Sequence, residues 1–145
     1  MEDEVLVGGA VVFKQRGRKV LWFIAKPGEQ DAWQLPKMVV RRGESSVRGT
    51  LRMAEELAGL RGAVLEEVGR VSNTTTHKGM PLVRRIIYYL MQQKGKSAAP
   101  SYAKTQWAEF ATARSRLATA SEKKVLSQAR TLLTTWQKQL TNLPH

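Results

Sequence analysis

Residues 43–60 read GESSVRGTLRMAEELAGL, and the reading of the fold starts there. Val47, Leu51, Ala54 and Ala58 recur at spacings of four, three and four, the period of one α-helix face. Ser45 is placed to cap the helix, because its hydroxyl can accept a backbone N–H of the first turn, and Gly59 is placed to end it. Met53 and Leu57 form a second apolar strip on the same helix. A helix with two apolar faces needs a second cover, which a partner protein, a terminal helix or a lid loop could each provide.

Upstream, the β-branched and aromatic runs at 5–13 and 20–25 flank a polar connector containing Gly17, which predicts a hairpin. Trp33, Gln34 and Leu35 read as a short strand stopped by Pro36, followed by a long loop over 37–44. Downstream, strands are predicted over 63–71 and 84–91, joined by a polar loop over 72–81. Residues 92–104, rich in Gly, Ser, Ala and Pro, read as a flexible linker, and 105–110 as a last strand. Ser121 opens a terminal helix with Val125, Leu126, Ala129, Leu132, Leu133 and Trp136 on one side. This order implies an α/β (α+β) sandwich, with a mixed sheet between helices, as one domain over 1–145.

Composition narrows the chemistry. With 145 residues, 42% of them apolar, the chain can bury one core and not two. The absence of Cys removes disulfide scaffolds, zinc-thiolate sites and cysteine nucleophiles. The start, Met1-Glu2-Asp3-Glu4, is acidic where a targeting peptide would be basic, and no apolar run reaches the roughly 18 residues of a membrane span. A soluble, cytoplasmic protein without membrane contact is expected. The net charge of +12 makes polyanions, whether nucleotide phosphates or RNA, the favoured partners.

The run from Trp33 to Lys37, then Arg42-Gly43-Glu44, Arg52, Glu56, Gly59 and Leu60, resembles the Nudix hydrolase family. From Glu44, the seven-residue gap of the family signature lands on Arg52, and its later Gly and aliphatic positions land on Gly59 and Leu60. Residues 9–13 look like the family's first strand. The run at Trp33–Lys37 is similar to that of diadenosine-polyphosphate and diphosphoinositol members. The resemblance covers roughly the whole chain and implies the family's α/β/α sandwich.

Three signature positions depart from the pattern: Met38 stands at the first Gly, Met53 at the Glu after the Arg, and Leu57 at the second Glu of the pair. In the family these carboxylates share one helix face and hold magnesium or manganese against a diphosphate. Glu55 cannot replace them, because one residue of shift is 100° of helix rotation. Glu109 is the sole later carboxylate near the place where the family often adds one.

The resemblance therefore implies a degenerate pyrophosphohydrolase centre, with magnesium or manganese weakly held or absent. Glu56 would be the remaining metal ligand, Arg52 the orienting residue, and Glu44 the third catalytic candidate or simply the loop-side partner of Arg52 in an ion pair. Lys37, Arg41, Arg42 and Arg48 are the candidate phosphate-binding residues. The functional expectation is binding of a nucleoside-diphosphate-linked or other polyphosphate ligand with weak or lost hydrolysis. The alternative is a non-catalytic module that binds RNA, a ribonucleoprotein or a protein partner, the last through Met53 and Leu57.

Overall fold

The computed structural model describes residues 3–141. Strand β1 (Asp3–Arg16) forms the expected hairpin with β2 (Lys19–Lys26), closed at Gly17, whose φ of +64° suits a residue without Cβ. Strand β3 (Lys37–Val39) pairs antiparallel with the first half of β1, so part of the stretch read as a loop is strand. Helix α1 (Ser46–Glu56) follows, then β4 (Leu60–His77) and β5 (Met80–Lys96), β6 (Lys104–Ala108), α2 (Phe110–Arg116) and α3 (Ala120–Thr141). The sheet has six strands in the order β4-β5-β1-β2-β6, with β3 beside β1, and it is mixed because β1 runs parallel to β5.

Strands β4 and β5 are longer than the sequence suggested. They continue through 72–77 and 80–83 to a tight turn at Lys78 and Gly79, where a loop over 72–81 was expected. The run Ser72 to Thr76 is exposed along its length. A ribbon wet on both faces shows no apolar alternation, although Thr suits strand geometry. Residues 92–96 likewise extend β5 and shorten the expected linker. The short helix α2 was not foreseen. Helix α3 starts one residue earlier than expected and is capped by Thr119, whose hydroxyl accepts the Glu122 backbone N–H.

Helices cover both sides of the sheet. On one, Val7, Val11, Phe13, Trp22, Ile24, Tyr88 and Leu90 pack with Leu126, Ala129 and Leu133 of α3. On the other, Ala10, Val12, Phe23, Ala25 and Met91 pack against Met53, Ala54 and Ala58.

This second core corrects the predicted helix face. Thr50, Met53 and Ala54 are buried, whereas Val47 and Leu51 are each 37% exposed. Ala54 and Ala58 of the predicted stripe stay inside, Met53 of the second strip joins them, and small residues decide this rotation. A Cβ at Gly8 of β1 would meet Thr50 Oγ1 at 2.5 Å, so the Gly8 and Thr50 backbones approach closely and turn Met53 inward. The second cover anticipated for Met53 and Leu57 is thus the protein's own sheet. Met53, with 0% exposure, has no surface left for a protein partner, and Leu57 is partly buried against the same cluster.

Candidate functional site

The loop before α1 is held by one arginine. The Ser45 hydroxyl accepts the Arg48 N–H and caps the helix as predicted. From the next turns of α1, Arg52 grips Glu44 in a two-pronged ion pair, with Nε to Oε2 at 2.9 Å and Nη2 to Oε1 at 3.0 Å. Its Nη2 also donates to the Val39 carbonyl at 3.2 Å, and its Nη1 meets the Met38 sulfur and Glu56 Oε2, the latter at 3.4 Å. The Arg41 backbone N–H adds a 3.0 Å bond to Glu44. The Arg52 guanidinium first, then this N–H, holds the Glu44 carboxyl down to about 2, and the same pairing raises Arg52. Both Glu44 oxygens are thereby engaged in fixing the loop.

Glu44, Arg52 and Glu56 do come together, but the positions around them are apolar. Met38, Leu57 and Tyr102 pack against the cluster containing Met53. Burial pushes the Tyr102 hydroxyl up to about 12. Glu56 is half exposed and faces Arg52. Glu55 is exposed and points away from Met53, lining a groove with Glu44, Arg48, Leu51 and Arg52. Glu109 pairs with Lys19 at 3.1 Å and does not join the helix carboxylate.

No group of three or more His, Asp or Glu among the described residues could hold a metal ion. Magnesium and manganese want hard oxygen donors, which two thioethers and an alkyl chain do not provide. Met53 and Leu57 thus place no hard oxygen donor at the two helix positions where the resemblance expects carboxylates.

Lys37 departs from its expected place. Instead of joining Arg41, Arg42 and Arg48 at the loop, which are exposed, it turns to the opposite side of the sheet. Its ammonium pairs there with Glu122 Oε2 at 3.1 Å and donates to Gln34 Oε1 and the Leu35 carbonyl, both at 2.8 Å. Glu122 also accepts the Tyr88 hydroxyl at 2.6 Å and the Leu35 N–H at 3.0 Å. Burial lowers the Lys37 pKa while Glu122 opposes that shift; burial, then the Glu122 charge, raises Tyr88. A cavity of about 180 Å³ adjoins this cluster, lined by Trp33, Lys37, Arg84, Tyr88 and Glu122 among others. Sequence reasoning missed Glu122, since a Glu in the first turn of a helix reads as an ordinary solvated charge.

Neither a scan against family models nor a search of curated proteins gives a match to this sequence. Solved structures do match. A C. elegans Ap4A hydrolase superposes with a TM-score of 0.67 at 17% identity, covering 92% of this chain and 99% of that one. The Nudix domain of Shewanella oneidensis NrtR complexed with ADP ribose gives 0.64 at 19% identity, with 92% and 90% covered. An E. coli dihydroneopterin triphosphate pyrophosphohydrolase gives 0.63 at 11% identity, with 85% and 92% covered. The chain has the Nudix fold. No described helix is long and apolar enough to cross a membrane.

Proposed function

We propose that this protein binds a nucleoside-diphosphate-linked or other polyphosphate ligand on a Nudix scaffold and hydrolyses it weakly or not at all. The observation that carries the reading is the packing of Met38, Leu57 and Tyr102 against buried Met53, where the helix would otherwise present oxygen ligands. Without a cluster of hard donors, neither an activated water nor charge neutralisation at the scissile phosphate is provided for. Glu56, half exposed, lies against Arg52, which already serves the loop through Glu44.

Ligand binding is supported by the net charge of +12 and by the exposed Arg41, Arg42 and Arg48 beside the start of α1. Arginine forks suit phosphate oxygens there. A shallow, open groove lined by Glu44, Arg48, Leu51, Arg52 and Glu55 lies on the same side of the helix start. Lys37, held by Glu122 on the other side of the sheet, is left out of this proposal. The NrtR domain complexed with ADP ribose gives a ligand class with which to begin.

The test is calorimetric titration of dinucleoside polyphosphates, nucleotide sugars and nucleoside triphosphates, with and without magnesium, with products read in parallel. Binding that persists without magnesium, and negligible product, are expected. Exchanging Arg41 and Arg42 for Ala should weaken binding about ten-fold or more, the scale of one charged hydrogen bond. Robust magnesium-dependent turnover abolished by Glu56→Gln would overturn the reading, as would an affinity unchanged in the Arg41→Ala/Arg42→Ala variant.

A further inference from the structure

Helix α1 covers only part of its side of the sheet. Beyond its C-terminal end a cavity of about 550 Å³ remains, lined by Phe23, Leu60, Lys96, Pro100, Thr105 and Trp107 among others. The aromatic residues belong to neighbouring strands, and their rings meet edge to face at 5.2 Å. Gly59 forms part of the wall, and any Cβ there would run into the Ala98 carbonyl, so the loop following β5 seats directly on the helix terminus. This volume lies within the range that accommodates a small organic ring system.

The sheet register gathers charge at one end of the sheet, where Lys96 also lines the cavity. Because β1 and β5 are parallel, Lys14 and Arg16 finish β1 at the same end of the sheet at which Lys94 and Lys96 finish β5. Arg18 lies in the turn to β2, and Arg61 enters from β4 opposite Gly95. Glu109, just past the end of β6, is taken by Lys19. Arg16, Arg18, Arg61, Lys94 and Lys96 have no ion-pair partner among the described residues.

Lys14 is the telling side chain. Its ammonium sits 4.3 Å from the centroid of the Trp107 ring, on the face where a flat aromatic ligand would stack. Burial first, then Arg16 and Lys96, lowers its pKa, as expected for a cation held among cations. A tryptophan with a cation over its ring, beside a cavity that Lys96 lines and on a sheet end carrying unpaired Lys and Arg, matches a ligand that combines flat rings with repeated negative charge. The large exposed apolar residues Leu6, Val39, Val47, Leu51 and Met80 lie outside this cavity lining, which argues against a lipid surface here.

We propose that this end of the sheet binds single-stranded nucleic acid, one base stacking on the Trp107 face that the Lys14 ammonium now covers, beside the cavity. Lys14, Arg16, Lys94 and Lys96 then take the flanking phosphates. A duplex keeps its bases stacked inward and cannot deliver one to that ring face. The site is separate from the groove beside Arg41 and Arg48.

Fluorescence anisotropy with a labelled uridine dodecamer tests this across a salt series. Affinity should fall steeply with salt, and UMP and a duplex of the same length should bind far more weakly. Arg16→Ala/Lys96→Ala changes exposed strand-end residues and spares the core; it should weaken binding at least ten-fold and reduce the salt slope by about 1.4, at roughly 0.7 per phosphate contact. Tryptophan quenching on binding should disappear in Trp107→Phe, which keeps an aromatic ring in the core. Lys124→Ala/Lys138→Ala on α3 removes the same charge elsewhere and should have little effect. Equal losses in the two double variants would overturn the proposal in favour of a diffuse field. Duplex binding as tight as the single strand, UMP binding as tight as the dodecamer, or quenching that survives Trp107→Phe would also overturn it.

Discussion

Replacing Glu122 by Gln should be among the most damaging single changes in this protein. Glu122 is 5% exposed, and its two oxygens receive the Lys37 ammonium, the Tyr88 hydroxyl and the Leu35 N–H. It thereby ties α3 to β5 and to the start of β3. An amide of nearly the same shape retains one acceptor oxygen but turns the other into a donor and leaves Lys37 charged and buried without a counter-charge. Breaking a buried pair in this way costs about 3–5 kcal/mol. For a chain of this size, that is a fall of about 10–20 °C in Tm. Thermal denaturation followed by circular dichroism measures it. Lys37→Met should be much better tolerated in the Glu122→Gln background than in the wild type, because it removes the stranded charge. A Tm within about 3 °C of the wild type, or strictly additive effects of the two changes, would refute the argument that this carboxylate holds the cluster.

Two further outcomes follow from the loop and helix. The Glu44 carboxyl is held at about 2, against 4.5 for a free Glu, so its ionised form contributes stability that is fully present above about pH 4.5 and is lost as pH falls through 2. Glu44→Gln should flatten the decline of Tm over that window, and an unchanged acid limb would count against the Arg52 clamp. Met53→Glu/Leu57→Glu should lower stability by about 3–6 kcal/mol, since a carboxylate replaces a side chain with no exposed area. Millimolar magnesium should raise the Tm of that variant and not of the wild type if oxygen ligands around Glu56 rebuild a metal centre, and hydrolysis of the nucleotide panel should rise with it. A variant as stable as the parent without magnesium would show that the helix face is not packed as described.

Much of the architecture was legible in residue periodicity. The hairpin, the capped start of α1 and the terminal helix rest on local rules: turn residues, cap chemistry and apolar spacing act within a few positions of chain. The order of the elements implied the mixed sheet, and α1 ends at Glu56, with Leu57 as its C-cap, before the Gly59 expected to stop it. The loss of Met38, Met53 and Leu57 from the signature was equally readable, because chemical identity at a spaced position needs no coordinates. Long strands such as 72–77 were not legible, since an exposed ribbon leaves no alternation to read.

Where each helix face points, and what each charge meets, was decided only by the tertiary structure. The sequence favoured the stripe of Val47 and Leu51 on α1, and the close approach of Gly8 to Thr50 turned Met53 inward instead. Lys37 and Glu122 lie far apart in sequence, and no local pattern links them; the sheet and α3 bring them within 3.1 Å. The net charge was a number in the sequence, and the parallel pairing of β1 with β5 turned it into a basic sheet end beside Trp107. Short-range preferences write themselves into sequence because neighbours in the chain are always neighbours in space. Register and face selection come from contacts between distant segments, whose free energy exists only once the whole core has closed.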